Sequence, residues 1–236
     1  MELQNKVAYI TGGTKGIGLA TAEALLENGM KVAISGRSNT VIEIADTLNQ
    51  KHPDRVMGIV SDVRSLQSEQ EAVLKIQNKW NNIDVLIANA GVGHFAPIDE
   101  MTAEQWNDVI NINLTGVFHS VKASVESLKS TKGYLITIAS LAGTNFFPKG
   151  AAYNASKFGL VGFTQAAMMD LRQYGVKATT IMPGSVATHF NGNVPSEKDA
   201  WKIQPEDVGS VIKDLLLMPA RTLPSKIEMR PSMPPQ

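Results

Sequence analysis

The chain of 236 residues has no cysteine. That excludes disulfides, thiolate metal sites and a cysteine nucleophile, and it suits a reducing compartment such as the cytoplasm. An excess of either charge is also missing, since 22 Lys and Arg face 22 Asp and Glu. Without a cationic surplus there is no electrostatic footprint for nucleic acid, so no such partner is expected. Long apolar runs are lacking too. Pro, Gly and Asn interrupt the longest charge-free stretches, so no membrane span or membrane partner is expected. The N-terminus passes from Glu2 and Lys6 straight into a strand-like run, which predicts no signal peptide. The four histidines fall at no metal-ligand spacing, and no metal is expected. A soluble, cytoplasmic enzyme or binding protein is the class that remains.

What is present is an alternation. Short, nearly continuous apolar runs cover residues 7–11, 31–35, 55–60, 84–88, 133–139, 177–182 and 226–229. Helical stretches cover 16–28, 39–50, 65–80, 102–127, 153–174 and 205–217. Apolar runs without alternation read as strands buried on both faces. Strand–helix alternation then predicts an α/β fold: a parallel sheet of about seven strands, doubly wound, with helices on both faces. Nothing divides the chain, so residues 1–236 are read as one domain. The segment 229–236 is Pro-rich and can be neither strand nor helix interior. It is expected to be a frayed tail or an extended arm.

The helical stretch from Tyr153 carries no charge between residues 158 and 169. A helix that is apolar nearly all round needs cover on two faces, and the sheet supplies one. A second subunit is the favoured cover, which predicts a homodimer or homotetramer; a neighbouring helix is the blander alternative.

Five motifs bear on chemistry. Gly12, Thr14, Lys15, Gly16, Ile17 and Gly18 join the first strand to the first helix. Glycines there permit a sharp turn and close ligand approach, and the helix start favours a phosphate. At the end of the second strand stand Gly36, Arg37 and Ser38, where an acidic group would otherwise meet the adenosine ribose. Arg37 and Lys15 instead predict a 2′-phosphate site, hence NADP(H). Asp62 and Val63 follow the third strand, and the Asp62 carboxylate could accept from an adenine amino group. Asn89, Ala90 and Gly91 follow the fourth, with room for close backbone approach. Tyr153 and Lys157 are four apart on one helix face. An ammonium there is expected to lower the phenol pKa and make Tyr153 a usable acid/base. Ser140 ends the fifth strand. Taken singly, each motif also fits an ordinary turn, cap or solvated charge.

Taken together, in this order, they resemble the classical short-chain dehydrogenase/reductase family over essentially the whole chain. The resemblance rests on Thr11 to Gly18, Asn89 to Gly91, Asn113, Ser140, Tyr153 with Lys157, and Pro183-Gly184 followed by Val186 and Thr188. It implies a Rossmann-type domain. It implies that Tyr153 protonates a carbonyl oxygen, Lys157 lowers the Tyr153 pKa and holds the nicotinamide ribose, and Ser140 bonds the substrate oxygen. Asn113 would help hold a relay water, and Pro183 to Thr188 would cradle the carboxamide. The end of the chain departs from the family, with Ile227-Glu-Met-Arg-Pro231 where Gly-Gly is usual.

Three loops, 92–98, 143–152 and 189–204, are expected to face the substrate. They bring His94, Phe95, Phe146, Phe147, Phe190 and Trp201, a lining suited to a small carbonyl or alcohol. The leading expectation is an NADP(H)-dependent carbonyl reductase or alcohol dehydrogenase. The alternative is a 3-oxoacyl carrier-protein reductase docking an acidic carrier on Lys129, Lys132 and Arg172. A non-catalytic nucleotide-binding protein is the third reading.

Overall fold

A computed structural model describes residues 1–233. Seven parallel strands form one sheet in the order β3-β2-β1-β4-β5-β6-β7. They are β1 (Val7–Thr11), β2 (Lys31–Gly36), β3 (Val56–Val60), β4 (Val85–Ala88), β5 (Tyr134–Ile138), β6 (Lys177–Pro183) and β7 (Lys226–Met229). The helices are α1 (Gly16–Glu27), α2 (Thr40–Lys51), α3 (Leu66–Trp80), α4 (Ala103–Ile110), α5 (Gly116–Thr131), α6 (Ala151–Leu171) and α7 (Pro205–Leu217).

The central strands are buried on both faces, as their unbroken apolar runs require, while β7 at the sheet edge is exposed on one face. Ala8 and Ile10 of β1 join one core with Leu25, Val41 and Ile212 of α1, α2 and α7. Val7 and Tyr9, one residue out of phase, join the other with Ile76, Val121 and Leu160 of α3, α5 and α6. Period-two side-chain alternation thus feeds two layers of helices from each strand. This is the Rossmann-type, doubly wound arrangement. Strand order reverses between β1, which leads outward to β2, and β4. That reversal opens a crevice at the carboxyl edge of the sheet, where ligands bind in such folds.

The stretch 102–127 does not form the single helix expected. α4 starts at a capping box made by Thr102 and Gln105, but a π-helical turn, Asn111–Thr115, separates it from α5. Such a turn inserts one residue and re-aims the side chains beyond it. Here it carries Asn113 into the interior, fully buried.

Of the two forms expected for the Pro-rich segment, the described part runs as an arm rather than a frayed tail. β7 is parallel to β6, so the chain leaves it at the carboxyl edge, beside the crevice. The Gly184 N–H donates to the Met229 carbonyl at 2.8 Å, and Arg230 and Pro231 line the cleft. The last part of the expected tail, residues 234–236, lies outside the described residues. Among those described, no helix is long and apolar enough to cross a membrane.

Candidate functional site

A cleft of about 1270 Å³ runs along the carboxyl edge of the sheet. Its nucleotide-shaped half is built from the β1–α1 turn. Gly12 and Gly16 hold φ of +66° and +56°, in the left-handed region, which favours glycine. A Cβ on Gly12 would stand 2.9 Å from Ala90 Cα, so the backbone of β4's exit loop can press against the turn only because the side chain is missing. Asn89 ties the two ends of the crevice together. Its Nδ2 donates to the Thr11 and Gly12 carbonyls at 2.9 and 3.0 Å. The first turn of α1 has no side-chain cap, so its N–H groups remain available for an anion. These features fit a dinucleotide pyrophosphate.

Further along, Gly36, Arg37 and Val63 line the cleft with Lys15. No carboxylate stands at the end of β2. Two of the expected residues stand outside the lining of the cleft. Ser38 does not line the cleft; its carbonyl accepts from Val41 N–H at the entry to α2. Asp62 is also outside it, because Arg64 takes its carboxylate in a fork, with Nη2–Oδ2 at 2.6 Å and Nε–Oδ1 at 3.0 Å. The Arg64 hydrogen bond holds the Asp62 carboxyl below its usual pKa, against a smaller opposing effect of burial. Beneath this end the sequence reading missed a buried cluster. Glu69 is fully buried and accepts from Ser61 at 2.7 Å and from Tyr9 at 3.1 Å. Burial first, then Glu69, pushes the Tyr9 phenol well up.

Gly18 likewise does not line the cleft. A Cβ there would lie 2.4 Å from the Gly12 carbonyl oxygen, so this glycine serves the close packing of α1 on the turn.

Ser140, Tyr153 and Lys157 meet at the centre of the cleft. Ser140 leaves β5, and its Oγ accepts from Ala142 N–H at 3.1 Å. Tyr153 and Lys157 share a face of α6. The Lys157 ammonium donates to the Ile138 carbonyl at 2.9 Å and lies 5.6 Å from the Tyr153 ring centroid. Burial lowers the Lys157 pKa to about 8. The expected direction at Tyr153 is reversed. Burial pushes the phenol up, and a hydrogen bond with Ser140 pulls it partly back. Desolvation outweighs the ammonium because Lys157 faces the Ile138 carbonyl and sits beside the ring, and no hydrogen bond joins it to the phenol oxygen. The site can therefore present a protonated phenol, aimed alongside a serine hydroxyl, to an oxygen that is gaining negative charge.

Asn113 does not line the cleft either. Its side chain pairs with both backbone groups of Val92, each at 2.9 Å, and donates to Ser156 Oγ at 3.1 Å. Ser156 in turn donates to the Tyr153 carbonyl at 2.8 Å. Both amide hydrogens are thus engaged. Asn113 clamps the loop after β4 to the turn of α6 that bears Tyr153, and its amide has no donor left for a relay water.

The Lys157 shift carries a testable consequence. Its folded pKa lies below the unfolded value near 10.5, so above about pH 8 the unfolded chain binds the extra proton and stability rises with pH. The gain between pH 8 and 10 is on the order of 2–3 kcal/mol. Above pH 10 the raised phenols of Tyr9, Tyr134 and Tyr153 act oppositely. Urea unfolding of the cofactor-free protein at pH 7.5 and 9.5 checks this. Lys157→Met should gain less over that interval than the wild type; equal gains would place the effect elsewhere.

The other half of the cleft is aromatic. All six expected residues, His94, Phe95, Phe146, Phe147, Phe190 and Trp201, line it, as do Pro183, Gly184, Val186 and Thr188. Among the lining residues that the motifs do not mark, three come from distant segments. Asp108 pairs with His94 Nε2 at 3.0 Å, a contact between a loop and α4 that no motif announces. Arg230 and Pro231 arrive through the parallel sense of β7.

The short chain dehydrogenase family matches residues 6–199. An oxidoreductase of Staphylococcus saprophyticus is 31% identical over 98% of this chain and 99% of its own. A 3-oxoacyl-[acyl-carrier-protein] reductase of Synechocystis is 34% identical over 92% of each. An alcohol dehydrogenase of the archaeon Thermococcus sibiricus, solved with 5-hydroxy-NADP, superposes with a TM-score of 0.92 at 29% identity, covering 99% of this chain and 100% of that one. Fold, crevice and full-length similarity agree, and the chain belongs to the short-chain dehydrogenase family of oxidoreductases.

Proposed function

We propose that the protein is an NADP(H)-dependent carbonyl reductase or alcohol dehydrogenase whose single domain binds both cofactor and substrate. The observation that carries this reading is the meeting of Tyr153, Ser140 and Lys157 in the same cleft as the glycine turn. The cofactor, when bound, supplies the hydride. Tyr153 holds the proton destined for the substrate oxygen, and Ser140 donates a second hydrogen bond to it. Lys157, anchored on Ile138, is placed to bond the ribose and keep the cofactor's reactive end beside Tyr153. Asn113 fixes the loop that flanks them. Arg37 and Lys15 favour the 2′-phosphate form. The test is consumption of NADPH with a panel of ketones and aldehydes: turnover is expected, and tight cofactor binding with no turnover of any carbonyl would instead indicate a binding protein.

The likeness to the Synechocystis enzyme supports a second reading, reduction of a carrier-bound 3-oxoacyl group. Lys129, Lys132 and Arg172 were the expected carrier dock. They stand at the C-terminal ends of α5 and α6, next to the starts of β5 and β6. Within one chain that is the sheet edge opposite the cleft, so a carrier docked there would have to serve a partner's site. Lys129 is also engaged, by Glu126 at 2.9 Å and over the Tyr174 ring at 4.6 Å. Free ketones and carrier-bound substrates assayed side by side separate the two readings.

The enzyme is further proposed to act as a homodimer or homotetramer. Ala155, Phe158, Gly162, Ala166 and Met169 form an exposed stripe along α6, with Phe158 44% and Met169 50% exposed. Phe118 of α5 adds to it. Two-fold pairing is the commonest way to cover such a face. Ala166→Asp would bury an unpaired charge and cost several kcal/mol, about 3–5. Light scattering at micromolar concentration should show an oligomer for the wild type and a monomer for the variant. A monomeric wild type rules the idea out.

A further inference from the structure

The substrate half of the cleft has two features that bear on what it accepts. The first is a convergence of rings on the acid group. Phe95 meets the Tyr153 ring at 5.6 Å between centroids, inclined 67°. Phe190 meets it at 5.7 Å, inclined 58°. Phe147 extends the wall, 5.8 Å from Phe95. Edge-on and tilted contacts at these separations are the favourable ones for aromatic pairs. The convergence depends on Gly93. A Cβ at that position would lie 2.9 Å from ring atoms of both Phe95 and Phe190, closer than carbon atoms pack. Gly93 is therefore the seat on which two rings from loops nearly a hundred residues apart come together. It has no left-handed φ to explain it.

The second feature is the state of the cations. Lys202 lines this half, and its ammonium is held by Asp199 at 2.6 Å. Arg230 lines it too, and holds Glu228 at 3.0 Å. His94 is bonded to Asp108 at 3.0 Å. Each of these already has a carboxylate supplied by the chain. A substrate anion would have to share or displace that partner. The carboxylates bring negative charge to the rim as well, which an anion would meet.

Resting on the reductase reading above, we infer that the substrate is an uncharged ketone or its alcohol, with an aryl or similarly bulky apolar group next to the carbonyl. That group packs on Phe95 and Phe190 while the oxygen meets Tyr153 and Ser140. Reduction is balanced by one hydride from NADPH to the carbonyl carbon and one proton from Tyr153 to its oxygen. Phe95 and Phe190 determine specificity, and Gly93 is a positioning residue that acts through them.

Three probe ketones isolate the two features when assayed with the wild-type enzyme and NADPH. Acetophenone against acetone isolates the ring; acetophenone against 4-acetylbenzoate isolates the charge. The ring should raise kcat/KM roughly 10-fold to 100-fold, the range given by burying one phenyl group. The carboxylate should lower it at least about 10-fold. In Gly93→Ala and, separately, Phe190→Ala, the acetophenone-to-acetone ratio should shrink several-fold, an effect that loss of stability alone does not produce; thermal melts identify any variant that fails to fold. Turnover with acetone equal to acetophenone, or with 4-acetylbenzoate equal to acetophenone, overturns the inference and leaves the reductase reading standing. If no carbonyl is turned over, the reductase reading falls, and quenching of bound NADPH fluorescence by acetophenone but not by 4-acetylbenzoate still decides which ligand the cleft takes. Equal quenching, or none, overturns the inference there as well.

Discussion

Tyr153→Phe should lower kcat by roughly 10²-fold to 10⁴-fold, the usual effect of removing a positioned acid, while leaving the dissociation constant for NADPH nearly unchanged. The substitution removes one oxygen and its hydrogen bond with Ser140. The ring remains, with its contacts to Phe95 and Phe190, so the cleft should keep its shape. On the proposed reading, cofactor binding draws on the glycine turn, Arg37 and Lys157, none of which contacts the phenol oxygen through a hydrogen bond. Steady-state rates together with a fluorescence titration of NADPH check both halves of the expectation. A variant keeping more than a tenth of the wild-type rate would show that another group delivers the proton. The raised phenol pKa adds a direction of pH dependence. Reduction needs the protonated phenol and should hold through neutral pH. Alcohol oxidation needs it deprotonated and should climb into the alkaline range.

Exchanging the group at the end of β2 should reverse the cofactor preference. In the wild type, Arg37 offers a planar fork to a 2′-phosphate and Lys15 a point charge. Both are exposed or partly so, and taking about 1–1.5 kcal/mol for each gives about 2–3 kcal/mol. That corresponds to a preference for NADPH over NADH of roughly 30-fold to 150-fold in kcat/KM. It should weaken with added salt. Arg37→Ala alone should remove most of the Arg37 share. Adding Gly36→Asp supplies a carboxylate that accepts from a free ribose hydroxyl and repels a phosphate. The new Cβ would lie 2.9 Å from Thr14 Cγ2, so the Thr14 side chain has to rotate away. The single variant therefore stands as the control for the double one. Equal efficiency with NADH and NADPH in the wild type would show Arg37 and Lys15 to be surface charges only.

Much of the site was legible because its residues are adjacent in sequence or share one strand end. The glycine turn, Asn89 to Gly91 and Ser140 sit where a buried parallel strand gives way to the next element, Tyr153 and Lys157 share one face of α6, and of the residues named in these motifs Gly18 alone does not line the cleft. The apolar runs marked the central strands, since a strand covered on two faces has no polar positions to blur it; β7, Lys226–Met229, alternates polar and apolar residues and is exposed on one face. What position along the chain does not show is which polar groups are already engaged: those of Asp62, Ser38 and Asn113 are held by neighbours. Arg64 lies two residues from Asp62, but nothing in the spacing says that its fork will fold back. Val92 and Ser156 reach Asn113 only through the π-helical turn, which apolar periodicity does not register.

The sign of the Tyr153 shift follows the same division. Sequence places an ammonium one helical turn from a phenol, and that alone implies a lower pKa. Burial is a property of everything packed around the ring, from Phe95, Phe190 and the loops that carry them, and it is the larger effect. Near neighbours along the chain suffice for the layered α/β fold and for the strand ends that border the cleft, because hydrophobic period and local turn stereochemistry are set locally. Long-range packing decides which polar groups are already satisfied, which cations are already paired, how Gly93 seats two distant rings, and that Arg230 and Pro231 turn into the cleft. Those depend on contacts between segments far apart in the chain, whose distances appear only once the sheet has brought its carboxyl edge together.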